Sequence, residues 1–367
     1  MKKAIKTRRW QLLLMAVLLG VVWISNTAAQ EYPTLYRGVR PLAMGGAFTA
    51  VADDEHALFY NPAGLADISR LNLAVLNPLV EASEDSTEMY QDLQDTDFET
   101  VEEAEDFLRK YIGVQQHLRA AINPYIGFNV ADYGVMIAGL GNGTVSALPF
   151  DTANPKLDVT VIGDYGLLGG VGGKLPFSGL RVGLSLKALN RSSLAEQYTA
   201  EDLVNEEFED LIDDDLHEGT GFSADLGMLY TLPFVPIVDT DVGLTVQNLP
   251  KMDMGDALDI ETQVNMGLAL KKTIAGFGFI GALDCMDLSR NIGEDDDWGK
   301  RLHVGGEVTF PLILSLQAGL NQGYWTAGLG LDFKVLRVDL ASYGEEIGEE
   351  AGDHVSRRYL AQVTIGW

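Results

Sequence analysis

The residues of this chain that could do chemistry do not stand in a recognised catalytic pattern. The five histidines are spread singly along the sequence, and none forms the His-Glu-x-x-His spacing that binds zinc. No Gly-x-Ser-x-Gly segment is present to expose a nucleophilic serine. Cys285 is the only cysteine, which excludes an internal disulfide framework and favours a structural role for its thiol. We therefore predict that the protein is not an enzyme and needs no cofactor.

Residues 169–174, Gly-Gly-Val-Gly-Gly-Lys, look at first like a phosphate-binding loop. That loop would need glycine in place of Leu168 and serine or threonine in place of Leu175. Glycines within a strand pattern more often mark the close approach of another backbone. We interpret these glycines as facing the interior of a barrel.

Two acidic runs, Asp213–Asp215 and Glu294–Asp297, could attract calcium, which prefers carboxylate oxygens. Neither run has the glycine and the terminal glutamate that an EF-hand loop requires. Solvated charge on surface loops is the simpler interpretation, and we predict no specific metal site.

The first 29 residues have the features of a secretory signal peptide. An apolar stretch over 12–24 is shorter than the ~20 residues of a membrane-spanning helix, and Thr27-Ala28-Ala29 offers a small-x-small cleavage site. We predict cleavage after Ala29, with a retained N-terminal anchor as the alternative. The basic residues that precede the apolar stretch are Lys2, Lys3, Lys6, Arg8 and Arg9.

The chain is strongly acidic, with a formal net charge of -27 that becomes -32 once the five basic leader residues are removed. Proteins that bind nucleic acid need clustered lysine and arginine to neutralise phosphates. The composition therefore argues against a nucleic-acid partner.

Apolar and polar residues alternate with a period of two through most of the chain after residue 120, which predicts strands with one apolar face. The segments mostly reach the ~9–11 residues that a tilted strand needs to cross a bilayer, whereas soluble strands usually have ~5–6. We predict an all-β fold, a 14-stranded antiparallel transmembrane β-barrel, with a soluble β-sandwich as the alternative. The predicted strands are 70–77, 121–130, 132–140, 157–173, 179–190, 219–232, 238–248, 260–272, 275–288, 300–310, 312–321, 324–333, 335–343 and 355–366.

The connections between these strands alternate between short and long, apart from the short connection 322–323. Outer-membrane barrels have short periplasmic turns and longer extracellular loops. The long connections are mostly acidic. Two of them, 78–120 and 191–218, contain segments with apolar residues at helical spacing, over 84–111 and 202–215. We therefore predict partly helical outer loops, expected to be solvated caps on the rim, with a ligand-capturing lid as the alternative.

Residues 30–69 precede the first predicted strand and are too apolar to remain in solvent, so we predict that they plug the barrel lumen. Gly45-Gly46 permits a bend or a close backbone approach. Asp53-Asp54 suits a turn or a helix N-cap, and Asn61-Pro62 ends any helix before it. Gly64 suits a tight contact with the wall. The predicted organisation is a signal peptide over 1–29, an N-terminal plug over 30–69 and a barrel over 70–367.

Three segments of the plug resemble a known family: Ala-Met-Gly-Gly-Ala (43–47), Ala-Asp-Asp (52–54) and Tyr-Asn-Pro-Ala-Gly-Leu-Ala (60–66). In this order they are similar to the N-terminal hatch of the long-chain fatty acid transporter (FadL) superfamily, in particular its PorV-type and TraF-type branches. The detailed resemblance covers about residues 36–70. It implies a 14-stranded outer-membrane barrel with a hatch in its lumen. In fatty acid transporters the hatch gates hydrophobic molecules, whereas PorV-type members hold exported proteins at the cell surface.

Charged residues on the polar face of the predicted strands are expected to point into the lumen, because Arg or Lys on the lipid face costs about 2–4 kcal/mol at mid-depth. Their mixed signs suit ion pairs that anchor the hatch better than ion selection, with a polar path as the alternative. These residues are Arg181, Lys187, Asp225, Asp239, Asp241, Glu261, Lys271, Glu307, Arg337, Asp339, Arg357 and Arg358.

The leading functional hypothesis is passive uptake of small hydrophobic molecules past a moving hatch, with release inward or sideways. The alternative is a scaffold that binds exported proteins and transports nothing. The expected location is the bacterial outer membrane, with membrane lipid and either a hydrophobic ligand or exported proteins as partners. We also expect the barrel assembly machinery to recognise the C-terminal strand, which ends in Trp367. The predicted hatch residues on the ligand path are Met44, Gly45, Gly46, Asp53, Asp54, Asn61, Pro62 and Gly64.

Overall fold

A computed structural model describes residues 34–84, 86, 89, 91–92, 98, 100–176, 179–205, 208–233, 237–292, 297–348 and 350–366. The predicted signal peptide 1–29, Trp367 and residues 294–296 of the second acidic run lie outside the described residues. Among the helices within the described ranges, none has both the length and the apolar character to cross a membrane.

In the described part of the chain, sixteen antiparallel strands form one sheet that closes on itself, because β1 pairs with β16. The strands are β1 (Leu71–Leu76), β2 (Leu79–Ser83), β3 (Gln116–Ile122), β4 (Tyr125–Val130), β5 (Tyr133–Phe150), β6 (Lys156–Lys174), β7 (Leu180–Thr199), β8 (His217–Thr231), β9 (Asp239–Leu249), β10 (Gln263–Ile274), β11 (Phe277–Cys285), β12 (Leu302–Thr309), β13 (Leu314–Asn321), β14 (Tyr324–Asp332), β15 (Leu336–Glu346) and β16 (Val355–Gly366).

Two neighbouring barrel strands are each interrupted by an Asn-Pro pair. β1 and β2 lie along the same edge of β16, and β3 and β4 lie along the same edge of β5, so the sixteen described segments make fourteen barrel strands. Pro78 and Pro124 lack the N–H that a strand would use for pairing. The Asn77 side chain replaces the lost bonds, because it donates to the Asn123 carbonyl at 2.8 Å and accepts from the Asn123 N–H at 2.7 Å. The predicted 14-stranded barrel is confirmed and the sandwich alternative is wrong.

The barrel is apolar outside and polar inside, as a transmembrane barrel requires. Outward side chains such as Leu167, Leu186 and Phe222 are 60–69% exposed. Inward side chains of the same strands, such as Ser185 and Asp225, are no more than 1% exposed. Closure gives each barrel strand a neighbour on both sides, as a membrane requires because hydrocarbon cannot bond to the polar groups of an open sheet edge.

The connections lie at two ends of the barrel, and we name the ends after them. At the turn end, β1 begins, β16 ends and the connections are 131–132, 175–179, 232–238, 275–276, 310–313 and 333–335. At the loop end the connections are 84–115, 151–155, 200–216, 250–262, 286–301, 322–323 and 347–354.

The strands β5 to β7 continue well beyond the length that spans a membrane, with 18, 19 and 20 residues. The prediction that 141–156 and 191–218 are loops is therefore wrong for residues 141–150 and 191–199. The predicted connection 78–120 is likewise wrong for residues 79–83 and 116–120, which belong to β2 and β3. The error in β5 arises from its local composition, because Gly139, Gly141 and Gly143 interrupt the apolar pattern and resemble a loop.

Helices in the loop-end connections cover the projecting part of this wall, which confirms partly helical outer loops. They are α3 (Val101–Lys110), which a Thr100–Glu103 capping box begins, α4 (Ala200–Val204) and α5 (Phe208–Asp214). Leu194 and Tyr198 of β7 point outward and pack against Phe208 and Leu211 of α5.

Candidate functional site: the hatch and the cavities beside it

Residues 34–70, which we call the hatch, fill the middle of the lumen. They contain the helices α1 (Val39–Ala43) and α2 (Ala57–Tyr60) and a 3₁₀ helix over Pro62–Asp67. Met44, Phe48, Leu58 and Leu65 are fully buried in one cluster with inward side chains of the wall such as Leu168. The hatch is therefore a plug that shares its core with the barrel.

The 3₁₀ helix of the hatch rests on a row of wall glycines, which we call the glycine track. Gly134, Gly172, Gly183 and Gly227 are direct partners across the neighbouring strands β5 to β8. A Cβ atom added at Gly134 would lie 1.7 Å from the carbonyl oxygen of Leu65, which leaves no room for any side chain. Glycine is required because the hatch backbone approaches the wall backbone directly. This contact accounts for one glycine of the Gly-Gly-Val-Gly-Gly-Lys segment.

Gly45 and Gly46 provide both a bend and a close approach. Their φ angles are 66° and 85°, in the left-handed region that favours glycine. A Cβ atom at Gly45 would lie 2.4 Å from the carbonyl oxygen of Val304 on β12. The preceding residue, Met44, is fully buried, and its carbonyl oxygen lies where a Cβ atom of Gly305 would stand.

Three wall side chains, which we call the backbone latch, satisfy polar groups of the hatch backbone from one side. Asp284 accepts hydrogen bonds from the Phe48 N–H at 2.8 Å and the Thr49 N–H at 2.6 Å. His303, the direct partner of Asp284 across β11 and β12, has its Nδ1 2.7 Å from the Gly45 carbonyl. Thr326 of β14 donates to the carbonyl of Ala43 at 2.8 Å. Because the hatch side of each contact is a backbone group, no residue type in the hatch sequence marks it. Sequence analysis therefore could not identify Asp284, His303 and Thr326 as hatch contacts.

Arg40 joins the hatch to the wall through a cluster of carboxylates. Its guanidinium forms a two-pronged pair with Glu307 of β12, with both N···O distances 2.8 Å. The same guanidinium binds Asp53 and Asp54 at 2.6 Å each. Asp53 and Asp54, which we predicted in the hatch, and Glu307, which we predicted in the lumen, therefore all bind Arg40. The sequence analysis did not identify Arg40.

Two further ion pairs tie the hatch to inward wall arginines. Arg337 of β15 binds Glu55 of the hatch and also pairs with Asp339 at 2.8 Å. Arg181 of β7 binds Asp67 at the end of the 3₁₀ helix.

Asp241 of β9 forms ion pairs with two cations of the wall, near the 3₁₀ helix of the hatch. It lies 2.7 Å from Arg181 and 3.3 Å from Lys271, and Lys271 also donates to the Val51 carbonyl of the hatch at 2.8 Å. These pairs connect three barrel strands to the hatch.

The remaining charges assigned to the lumen do not contact the hatch in this way. Lys187 and Asp225 pair with each other at 2.6 Å inside the wall. Asp239 is exposed where β9 begins at the turn end. Glu261 lies in the loop before β10 and pairs with Lys251 at 2.5 Å, because the strand begins later than predicted.

Arg357 faces outward, unlike its neighbour Arg358, which is fully buried. Its guanidinium lies 3.9 Å from the centre of the exposed Trp325 ring. Successive residues of a strand point to opposite faces, so two adjacent arginines cannot both enter the lumen. The inward assignment of Arg357 is therefore wrong.

Asn61 holds the start of the 3₁₀ helix to both the hatch and the wall. Its side-chain amide donates to the carbonyls of Thr49 at 2.8 Å and Met228 at 3.2 Å, and its oxygen accepts from the N–H of Ala63. Pro62 follows at the first position of the helix, where its missing N–H costs nothing. The tight contact of Gly64 is with Ala52 inside the hatch, where a Cβ atom would lie 1.7 Å from the carbonyl, and not with the wall as predicted.

Asp54, Glu55 and His56 bring ligand atoms within 4.8 Å of one another, as a metal site would. Arg40 and Arg337 already bind the two carboxylates, and Asp54 Oδ1 lies 2.9 Å from His56 Nδ1. Burial lowers the pKa of His56, but the Asp54 carboxylate and its hydrogen bond outweigh burial and raise the pKa above its usual value. The cluster is thus charge-compensated by protein groups.

A serine and a histidine that sequence reasoning did not pair meet on the inner wall. Ser146 Oγ lies 2.9 Å from His117 Nδ1, and the other ring nitrogen lies 3.3 Å from Glu81. Arg119 also binds Glu81, and Ser146 is only 8% exposed. The serine is therefore part of a buried polar network between strands.

Two cavities flank the hatch. The loop-end chamber, of about 90 Å³, has hatch residues as its floor. Its wall is made by inward residues of β7 to β10, β12 and β13 and by residues of the connection 286–301. Its floor includes Tyr36, Phe59 and Tyr60, and its wall includes Gln263, Asn265 and Asn321. The turn-end vestibule, of about 230 Å³, is lined by Asp53, Glu55, Tyr125, Arg337 and Thr364 among others.

No protein-family model and no curated protein matches the chain. It is similar to the solved structure of CymD, a monoaromatic hydrocarbon channel, with 12% identity, a TM-score of 0.49 and coverage of 92% of this chain and 98% of that one. The P. putida toluene transporter TodX gives 11%, 0.49, 91% and 98%, and a Pseudomonas aeruginosa FadL homologue gives 9%, 0.38, 94% and 99%. At these identities and TM-scores the similarities carry no argument, and the transmembrane barrel fold of this chain rests on its own strand pairing.

Proposed function

We propose that this protein is an outer-membrane channel for the passive uptake of small hydrophobic molecules, gated by the hatch. The observation that carries the proposal is that the floor of the loop-end chamber is made by hatch residues, with the vestibule on the other side. A molecule bound in the chamber therefore rests on a segment that is separate from the barrel sheet. Movement of that segment would join the two cavities.

The hatch can move without breaking the barrel. Its backbone-to-backbone hydrogen bonds over residues 38–68 run to other hatch residues, so no strand pairing is lost when it shifts. Its bonds to the wall come from side chains such as Arg40, Asp284 and Arg181, which water can replace as the hatch leaves. The glycine track presents no side chains of its own to the hatch, so the hatch meets wall backbone at these four positions.

We infer that release occurs into the turn-end vestibule, on the periplasmic side if the short turns follow the rule for outer-membrane barrels. The interruption beside Pro78 and Pro124 is closed in this state by the Asn77 side chain. The predicted signal peptide and the apolar outer band suit export and insertion into an outer membrane.

Uptake of a small apolar probe, p-xylene, by cells that make the protein and by cells that lack it tests this function. We expect faster uptake in the producing cells. Gly45→Val and Gly46→Val should change the rate, because a side chain at either position collides with β12 or His303. Gly281→Val is the control, since an added Cβ atom there meets nothing within 4 Å. Equal uptake in all these cells would reject transport.

One observation favours the alternative of a scaffold for exported proteins. The long wall of β5 to β7, with its helical cap, projects beyond the membrane-spanning length and carries exposed carboxylates such as Glu102 and Asp106. Such a projection could present a partner protein. Recovery of exported proteins bound to the purified barrel, together with unchanged p-xylene uptake, would support this function over transport.

A further inference from the structure

We propose that the loop-end chamber selects neutral single-ring molecules that carry a hydroxyl group, the phenol class, over hydrocarbons and carboxylates of the same shape. The inference narrows the proposed function and rests on it for the claim that the bound molecule is then transported. Binding itself can be measured without transport.

The size of the chamber limits the ligand to one ring. Its volume of about 90 Å³ is smaller than the ~150 Å³ of an engineered apolar cavity that binds benzene, so it admits no more than a single ring. A long acyl chain would have to extend into solvent.

The floor of the chamber is aromatic. The Tyr36 and Phe59 rings stack with their centres 3.9 Å apart and their planes 18° apart, and both rings are only partly buried. Tyr60 lies beside them and packs edge-on against Phe48. Stacked and edge-on arrangements are the ones that aromatic rings prefer, so the floor offers a third ring a favourable surface.

The cations of the chamber already have partners, which disfavours a carboxylate ligand. Lys187 is 2.6 Å from Asp225, and Arg37 is 2.6 Å from Glu345. Arg301 binds Asp287, and Lys300 is likewise engaged. A ligand carboxylate would have to displace one of these carboxylates and leave it buried without a partner, which is strongly unfavourable.

The wall of the chamber is rich in amides, which disfavours a pure hydrocarbon. A primary amide both donates and accepts hydrogen bonds, so it can bind a hydroxyl in either role. Most of these amides already bond within the protein, as Gln247 does to the Phe59 carbonyl and Asn321 to the Gly344 carbonyl. The side-chain nitrogens of Gln263 and Gln322 have no acceptor among the described residues, so a hydrocarbon would bury these two donors unsatisfied, which is costly. The amides that line the wall are Gln247, Asn248, Gln263, Asn265, Asn321 and Gln322.

Calorimetric binding to the purified full-length protein at neutral pH tests the selection with three para-substituted probes of nearly equal shape. The probes are p-xylene, p-cresol and p-toluate, which present a methyl group, a hydroxyl group and a carboxylate. We expect p-cresol to bind at least tenfold more tightly than each of the others. Equal or tighter binding of p-xylene or p-toluate, or no binding of any probe, would overturn the proposal.

Two variants test separately how the floor and the wall contribute to the preference for p-cresol. Phe59→Leu should weaken p-cresol binding, and Phe333→Leu, at an exposed turn-end phenylalanine, should not. Gln263→Leu keeps the side-chain size but removes the amide, so it should bring p-cresol affinity down to that of p-xylene while p-xylene still binds. Retained discrimination in Gln263→Leu would contradict the role of the wall.

The binding and uptake assays separate this inference from the proposed function. A preference for p-cresol in binding, with no uptake by cells, leaves the selection intact and rejects transport. Uptake of p-xylene, with no binding preference among the probes, supports transport and rejects the selection.

Discussion

Gly172 and Gly183 are direct partners across β6 and β7, and the hatch peptide at Pro62 lies against both of them. A Cβ atom would stand 2.7 Å from the Pro62 carbonyl oxygen at Gly172 and 2.2 Å from it at Gly183. Residues of the wall therefore set the depth at which the hatch sits. The two glycines add no side chain of their own to this contact, so no wall side chain blocks the Pro62 peptide when the hatch leaves.

The glycine track predicts that a single bulky residue in it opens the lumen, because the hatch closes the lumen by resting on these glycines. Gly183→Leu should push the 3₁₀ helix off the wall, since overpacking of this kind costs about 1–3 kcal/mol. The outer face of the barrel is unchanged, so the barrel should still form. In proteoliposomes we expect faster swelling in a small sugar than with the wild type.

The matched control for that variant is Gly281→Leu on the outward face of β11, where nothing lies within 4 Å of an added Cβ atom. It should swell at the wild-type rate. A folded Gly183→Leu protein that swells no faster than this control would show that the track does not hold the seal.

The Arg40 cluster predicts a large loss of hatch stability from one substitution. Arg40→Leu leaves the buried Glu307 without its cation, and removal of one partner of a buried pair costs about 3–5 kcal/mol. Hydrogen exchange over residues 39–53 should speed up about a hundredfold or more. Arg40→Leu combined with Glu307→Leu should recover part of the loss.

Arg109→Leu provides the comparison for the arginine cluster, because Arg109 pairs with Glu105 on the exposed face of α3. It should cost no more than about 0.5 kcal/mol. An Arg40→Leu protein whose hatch exchanges at the wild-type rate would exclude the cluster as an anchor.

The backbone latch predicts that amide exchange of Phe48 and Thr49 depends on which hydrogen-bond acceptor stands at position 284. Asp284→Ala leaves the N–H groups of Phe48 and Thr49 unsatisfied, at about 1–3 kcal/mol for each group, whereas Asp284→Asn keeps one acceptor oxygen. Exchange of these two amides should be fastest in the alanine variant and intermediate in the asparagine variant. Equal exchange in both variants and the wild type would contradict the latch.

The raised pKa of His56 predicts that the hatch becomes less stable as the pH rises. Its pKa is raised in the folded protein, so its contribution is complete below the ordinary value of 6.5 and is lost as the pH passes through the raised value. Asp54 does not interfere, because Arg40 and His56 lower its pKa despite burial and its contribution is lost only in acid.

The measurement for His56 is hatch hydrogen exchange, corrected for the intrinsic effect of pH, from below to above pH 6.5. The wild-type opening free energy should fall across this range, and that of His56→Gln should stay flat. A wild-type hatch whose stability holds or rises with pH would disprove the role of His56.

Much of the fold was predictable because alternation, strand length and connection length act over many residues at once. The count of fourteen strands survived even though β1 and β2, like β3 and β4, are separated by Asn-Pro pairs. Local composition misled where glycines near Gly141 resembled a loop and where Arg357 and Arg358 were placed on one face.

The site was less predictable because its contacts are between backbone and side chain or between distant charges. The Asn-Pro-Ala segment and Gly45-Gly46 could be identified as special, since glycine and proline restrict the backbone in known ways. The partners Arg40, Asp284 and His303 are single polar residues whose role depends on 235–267 residues of chain separation. No local pattern marks such pairs.

A disulfide between the hatch and the wall tests the moving hatch most directly. Leu65→Cys and Gly172→Cys, in a Cys285→Ser background, place two Cβ atoms about 3.0 Å apart, slightly closer than the ~3.8 Å of an ordinary disulfide. Uptake of p-xylene and p-cresol is then compared in the oxidised and reduced protein. The control is Gly172→Cys alone in the same Cys285→Ser background, because its side chain crowds the hatch peptide whether or not a disulfide forms. We predict that oxidation abolishes uptake and that reduction restores it; equal uptake in both states, with the disulfide verified by mass spectrometry, would contradict a hatch-gated channel.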